Sequence, residues 1–180
     1  MSSRIIPLDP THTEDSTRNL LGAMKAKLGM LPNAIKTMAH APALLEGYLS
    51  LSSALAKGYL TASVREQIAL AVSQANRCEY CLSAHSLTGR KAGLTHEQIQ
   101  EARRGHSQDA KTQAILDLVR NIMEQHGNLS DNQFHAARQA GITDAEISEI
   151  VGHVALLTLT NYFNQVARTD IDFPKVLVDS

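Results

Sequence analysis

Tryptophan is absent from this chain, and Phe and Tyr bring aromatic residues to only 4% of its 180 positions. A core without large rings must be filled by Leu, Ile, Val, Ala and Met, a composition that favours packed helices. Cysteine is almost as scarce, with two in the whole chain. Two thiols are too few to staple a small secreted scaffold, so the pair points to catalysis, redox sensing or metal binding in a reducing compartment. Neither sign of charge dominates: 17 basic against 18 acidic side chains leave a formal net charge of -1. That balance excludes the basic field a nucleic-acid-binding or membrane-surface protein presents. No apolar run approaches the ~20 residues that cross a bilayer, and the opening Ser2-Ser3-Arg4-Ile5-Ile6-Pro7 lacks the apolar core of a secretory signal. The expectation is a cytoplasmic protein with neither a membrane nor a nucleic acid as partner.

What is present reads as helix throughout. Hydrophobic residues at 43% and charged residues at 19% are ordinary globular values, and the length suits one well-buried core. Residues 1–180 are therefore read as a single all-α domain, a multi-helix bundle. The spacing predicts a first helix over Thr13 to Leu28, with Leu20, Leu21, Met24 and Leu28 on one side and Gly29 ending it. Pro32 and Pro42 each open a further helix, the second carrying Leu44, Leu45, Tyr48, Leu49, Leu51 and Leu55 toward burial. A helix from Thr61 turns Val64, Ile68, Ala71, Val72 and Ala75 inward. Thr95, Ser130 and Thr143 each precede a helix with Gln or Glu three residues on and an apolar staple pair. Between the first two of these, Ala114 to Met123 is amphipathic and closed by Gly127. Asp144 to Arg168 forms the last long helix, burying Ile147, Ile150, Val151, Val154, Leu157 and Phe163. Ala92-Gly93-Leu94-Thr95 and Ala140-Gly141-Ile142-Thr143 hint at an internal duplication, although convergent turn chemistry would look the same.

Both cysteines fall in one window, Cys78-Glu79-Tyr80-Cys81-Leu82-Ser83-Ala84-His85, with Glu66 on the preceding helix. Cysteines three apart at the start of a helix can close a disulfide, because their Cα atoms come within the roughly 4.4–6.8 Å that the bond needs. Cys81 and His85 are four apart and share a helix face, so the imidazole reaches the thiol directly or through water. Cys78 sits near the helix start, where free backbone N–H groups and the macrodipole favour a thiolate. Glu66 can fix the His85 tautomer and hold a transferred proton. Spacing alone does not decide which cysteine attacks, since thioredoxin-type motifs use the one nearer the helix N-terminus. His85 faces Cys81, which assigns Cys81 as the peroxide-attacking thiolate and Cys78 as the resolving thiol. The expected cycle runs from sulfenic acid at Cys81 to a Cys78–Cys81 disulfide and back through an external dithiol, with no bound metal or organic cofactor.

The Glu66, Cys78, Cys81 and His85 spacing resembles the alkylhydroperoxidase D-like branch of the carboxymuconolactone decarboxylase superfamily. Gly29-Met30-Leu31-Pro32-Asn33, Arg65-Glu66, Asn161-Tyr162-Phe163-Asn164 and Asp170-Ile171-Asp172-Phe173-Pro174 extend the likeness over residues 29–174, leaving 1–28 as an N-terminal extension and helix. The resemblance implies an all-helical homo-oligomer that reduces organic hydroperoxides. It also implies a lipoyl or thioredoxin-like dithiol donor, and attack by the second cysteine. In one departure, Tyr80 stands where the best-known members carry a second histidine, which aligns the chain with the peroxidase-related members.

Plainer readings stand beside these. A general dithiol–disulfide oxidoreductase would use the same pair, and a non-catalytic redox-sensing or zinc-binding module would need Glu66 or a distant His to complete four ligands around Cys78, Cys81 and His85. Tyr80 is expected to pack or donate a hydrogen bond rather than relay protons. The Asn161 and Asn164 pair is expected to be structural, and His135 and His153 are not expected to act as ligands.

Overall fold

The structure, a computed structural model, describes residues 2–179 and, within them, all side chains except those of Lys27 and Leu28. The packing expected of Leu28 lies outside the described residues. After a short 3₁₀ turn, Pro10–His12, the chain forms α1 (Asp15–Leu28), α2 (Asn33–Met38), α3 (Pro42–Leu55), α4 (Ala62–Ala75), α5 (Glu79–Lys91), α6 (His96–Arg103), α7 (Ala110–Glu124), α8 (Asp131–Gln139) and α9 (Asp144–Ala167). No strand occurs among the described residues, as expected of an all-α chain.

Caps explain where the elements begin. Thr95, Ser130 and Thr143 each accept from the backbone N–H three residues on, while Gln98, Gln133 and Glu146 reach back to the cap N–H, closing three complete capping boxes. Gly29, at φ 75°, ends α1 in the left-handed conformation that glycine adopts without a Cβ penalty. The first helix starts at Asp15 rather than Thr13, because Asp9 accepts from Thr11 N and winds Pro10–His12 into its own turn. The turns at Gly93 and Gly141 are alike in left-handed φ and in the hydrogen bonds Leu94 N to Gly89 O and Ile142 N to Ala137 O. They lead into helices of very different length, α6 and α9.

α4 is the central helix, packing on α5, α6, α7 and α9. Its Ile68 and Val72 join Ile115, Leu118 and Val119 of α7 and Ile150, Val154 and Leu157 of α9 in the main core. Leu21, Ile35, Met38 and Leu45 form a second cluster where α1, α2 and α3 meet. Leu51, Ala75 and Val151, expected inside, are exposed. Periodicity marks a stripe broader than the contact each of these helices makes. Leu159, Tyr162 and Val166 continue the Val151 stripe along α9 and are exposed as well. No helix of the described residues is long and apolar enough to cross a membrane.

One side chain ties the α3–α4 connection to α9. The Glu149 carboxylate accepts from Tyr59 N at 2.7 and 2.9 Å and from Leu60 N at 3.1 Å. Gly58 is required beside it, because a Cβ there would overlap the same carboxylate. Replacing Glu149 by Leu strands these N–H groups and is expected to lower unfolding free energy by about 1–3 kcal/mol, read as a lower urea midpoint at unchanged slope. Gly58→Ala should act in the same direction by displacing the carboxylate.

Candidate active site

The motif begins at a tight turn. Asn76 and Arg77 end α4, Arg77 taking the left-handed conformation at φ 55°, and Cys78 N donates back to Ser73 O at 2.9 Å. This bond pattern closes a helix C-terminus and swings the chain directly into α5. Cys78 then serves as the N-cap of α5, its Sγ accepting from Cys81 N at 3.3 Å. The two sulfurs are paired as a disulfide with Cα atoms 5.3 Å apart.

α4 and α5 run back alongside each other from this turn, which sets Glu66 opposite His85. Glu66 Oε2 lies 2.9 Å from His85 Nδ1. Thr88 Oγ1 donates to the same oxygen at 2.6 Å. Burial raises the proton affinity of the Glu66 carboxyl, but the charge and hydrogen bond of His85, the Thr88 hydroxyl and the charge of Arg65 outweigh it and hold the group below its ordinary range. With Nδ1 committed to the carboxylate, Nε2 is the His85 nitrogen left for chemistry.

A cavity of about 820 Å³ opens beside these groups, with Cys81, His85, Thr88, Thr160 and Asn164 on its polar wall. Leu20, Met24, Ile35, Met38, Leu49 and Phe173 supply much of its apolar surface. Cys78 and Glu66 are not among the lining residues. Of the four residues expected at the site, Cys81 and His85 thus face the cavity, Glu66 stands behind His85, and Cys78 stands behind Cys81.

Cys78 is covered by the C-terminal segment. Ile171 and Phe173 pack against Cys78, Tyr80 and Cys81. Asp172 anchors the segment, one carboxylate oxygen accepting from Tyr80 Oη at 2.9 Å and the other from Asn33 N at 2.8 Å. Further along, Val176 N donates to Ser83 Oγ at 2.9 Å. Tyr80 Oη also accepts from Ala34 N at 3.0 Å. Burial drives the Tyr80 phenol far above its ordinary value, and the Asp172 carboxylate adds to the rise. Tyr80 therefore remains a protonated donor that locks α2, α5 and the C-terminal segment together. Burial and the Glu66 charge likewise raise the Tyr48 phenol, which also lines the cavity.

Two residues escaped the sequence reading. Thr88 follows His85 by three residues on the face that carries Cys81, a spacing that could have revealed it. Asn164, expected to be structural, donates from Nδ2 to Cys81 Sγ at 3.4 Å. Its neighbour Asn161 does have a structural place, accepting from Asn76 Nδ2 at 3.0 Å and donating to Ser73 Oγ at 3.4 Å beside the α4–α5 turn. His153 is buried on α9 with Nε2 unpartnered, and burial and the Arg65 charge lower its proton affinity. Among the described residues no three His, Cys, Asp or Glu side chains are grouped to hold a metal ion.

Residues 42–124, covering α3 to α7, match the model of the carboxymuconolactone decarboxylase family. An uncharacterized protein of Haemophilus influenzae is 50% identical over 46 residues, which are 25% of this chain and 41% of that protein. The chain spans about half the length of the curated relatives it matches. The fold superposes on the crystal structure of an alkylhydroperoxidase AhpD core, an uncharacterized peroxidase-related protein from Ralstonia eutropha JMP134. That match has a TM-score of 0.86 and 24% identity, and covers 94% of this chain and 92% of the other. It also superposes on the debrominase Bmp8 in complex with 2,3,4-tribromopyrrole, with a TM-score of 0.79, 20% identity, and coverage of 96% and 93%. At these identities the structures speak for the fold alone, and the family model speaks for residues 42–124. Over α3 to α7 the chain thus matches the carboxymuconolactone decarboxylase family model, and its fold is that of the alkylhydroperoxidase AhpD-core structure.

Proposed function

We propose that the protein is a thiol peroxidase that reduces organic hydroperoxides through Cys81 and Cys78. The observation that carries this reading is the unequal placement of the two sulfurs. Cys81 shares the cavity wall with His85, while Cys78 is buried and absent from that wall. Only the Cys81 sulfur meets a molecule bound in the cavity, so it is the attacking thiolate, and the apolar wall suits a hydroperoxide with an organic body.

His85 Nε2 takes the Cys81 thiol proton, and the Glu66 carboxylate stabilises the resulting imidazolium. The thiolate attacks the distal oxygen of the hydroperoxide, forming an S–O bond as the O–O bond breaks. Sulfur is oxidised by two electrons, and the departing alkoxide takes the His85 proton to leave as an alcohol. The Cys78 thiol then attacks the sulfenic sulfur, its proton passing to the departing hydroxide, so that the disulfide forms and water is released. An incoming dithiol enters by the cavity and attacks Cys81 Sγ, so that Cys78 leaves as a thiolate stabilised by the Cys81 N–H and the α5 N-terminus. A slender lipoyl arm fits this route better than a folded thioredoxin-like surface, and it leaves Cys78 covered throughout. The buried disulfide also disfavours a general oxidoreductase acting on protein disulfides. Dithiol turnover suits a reducing cytoplasm. The exposed α9 stripe of Val151, Leu159, Tyr162 and Val166 supports a homo-oligomer built on this helix.

The reduced protein should consume cumene hydroperoxide with dihydrolipoamide, and Cys81→Ser should fall to the uncatalysed background. Cys78→Ser, which keeps a side-chain acceptor at the α5 N-cap, should yield one sulfenic acid per chain, trapped by dimedone, without turnover. Turnover of protein disulfides with no hydroperoxide consumption would instead establish the oxidoreductase reading. His85→Gln is expected to slow the peroxide step by about 10²–10⁴-fold.

Glu66 gives a pH signature in stability. A carboxyl held below its unfolded value stabilises the fold above that value, and the contribution is lost as pH falls through the folded value. Glu66→Gln should therefore flatten the loss of stability as pH falls through and below the ordinary carboxylate range, measured by urea unfolding along the acid limb. Light scattering on a sizing column should show an oligomer, which Val166→Glu with Leu159→Glu dissociates.

A further inference from the structure

We infer that Asn164 is a catalytic residue for the Cys81 thiolate, a conclusion that rests on the peroxidase reading of the same site. Among the described residues, Asn164 Nδ2 is the only hydrogen-bond donor to Cys81 Sγ, at 3.4 Å. The side chain comes from α9 and lines the cavity together with Cys81, His85 and Thr160. Asn164 is only 5% exposed, and its Oδ1 is buried with no partner. An Asn placed for packing would be replaced at lower cost by an apolar residue of similar size, since a buried amide oxygen without a donor is unfavourable. Its orientation satisfies the sulfur and leaves the oxygen unsatisfied.

A neutral thiol or a disulfide sulfur is a weak acceptor, whereas a thiolate is a strong one. The bond therefore gains most when Cys81 ionises, and it lowers the thiol's proton affinity without adding a charge that would attract the wrong ligand. The ionisable groups around the sulfur are Cys78, Tyr80 and His85 from the motif itself, Glu66 from α4, Tyr48 from α3, His153 from α9 and Asp172 from the C-terminal segment. Tyr48 and Tyr80 are held protonated by burial. The Glu66 and Asp172 carboxylates oppose a second anion, although each is occupied, by His85 and by Tyr80 respectively. Burial keeps His153 neutral. Arg65 on α4, and Glu46 and Lys57 on the cavity wall, add charges farther out, and the Asn164 amide joins His85 and the α5 N-terminus as a group aimed at the sulfur itself.

The test is the ionisation of Cys81, read in the Cys78→Ser background as thiolate absorbance at 240 nm and as iodoacetamide alkylation rate against pH. Asn164→Leu should raise the midpoint by about one pH unit and slow alkylation at neutral pH about tenfold, while the high-pH plateau stays the same. Asn164→Asp, close to isosteric but anionic, should raise the midpoint further. Midpoints unchanged in folded variants would overturn the assignment. Should either variant fail to fold, nitrogen-15 spectra of the Cys78→Ser protein provide the second reading. The Asn164 side-chain amide protons should shift with the midpoint of the thiolate absorbance, and their failure to move refutes the role. None of these measurements uses a peroxide. An enzyme inactive toward hydroperoxides would sink the proposed function while leaving this result standing, and an active peroxidase with an unmoved midpoint would sink this inference alone.

Discussion

The turn from α4 into α5 is the constraint on which the site depends. Arg77 in a left-handed conformation and the Cys78 N to Ser73 O bond end one helix and start the next with almost no intervening chain. Two helices that double back so tightly bring residues on either side of the bend face to face, Glu66 about three helical turns before it and His85 about two turns after it. Their separation in sequence is therefore a geometric requirement of the hairpin. The same turn makes Cys78 the N-cap, so that its sulfur is fixed by the backbone N–H of the cysteine it pairs with. Redox chemistry and helix capping share one atom.

Around this hairpin, polar groups that would be liabilities in an apolar bundle are spent in pairs. Asn161 bridges Asn76 and Ser73 at the bend, and Asp172 bridges Tyr80 and the start of α2. These bonds hold α9 against the end of α4, and the C-terminal segment against α5 and the start of α2. The result is a cavity with His85 and Cys81 at its wall, Glu66 behind the imidazole and Cys78 behind the other sulfur.

Much of this was legible from residue patterns because the forces involved are local. Capping boxes at Thr95, Ser130 and Thr143 act within four residues, and the structure contains all three. The Cys81 and His85 pair lies on one helix, where spacing fixes the shared face. Core membership was read less well at Leu51 and Val151, since periodicity identifies an apolar face and not the neighbour that covers it. Tyr80 was read correctly as a donor or packing group, although its partners, Ala34 and Asp172, lie far away along the chain. Asn164 was missed for the same reason, its bond to Cys81 joining residues 83 positions apart.

Sequence by itself determined the all-helical class, most helix boundaries and the grouping of two thiols, an imidazole and a carboxylate, because each follows from short-range geometry and backbone hydrogen bonding. Only the tertiary structure decided which cysteine lines the cavity, that Thr88 shares the Glu66 carboxylate, and that α9 sends an amide to the Cys81 sulfur. Those relations depend on how helices distant in the chain pack, and packing is settled by the collective burial of side chains from every helix at once.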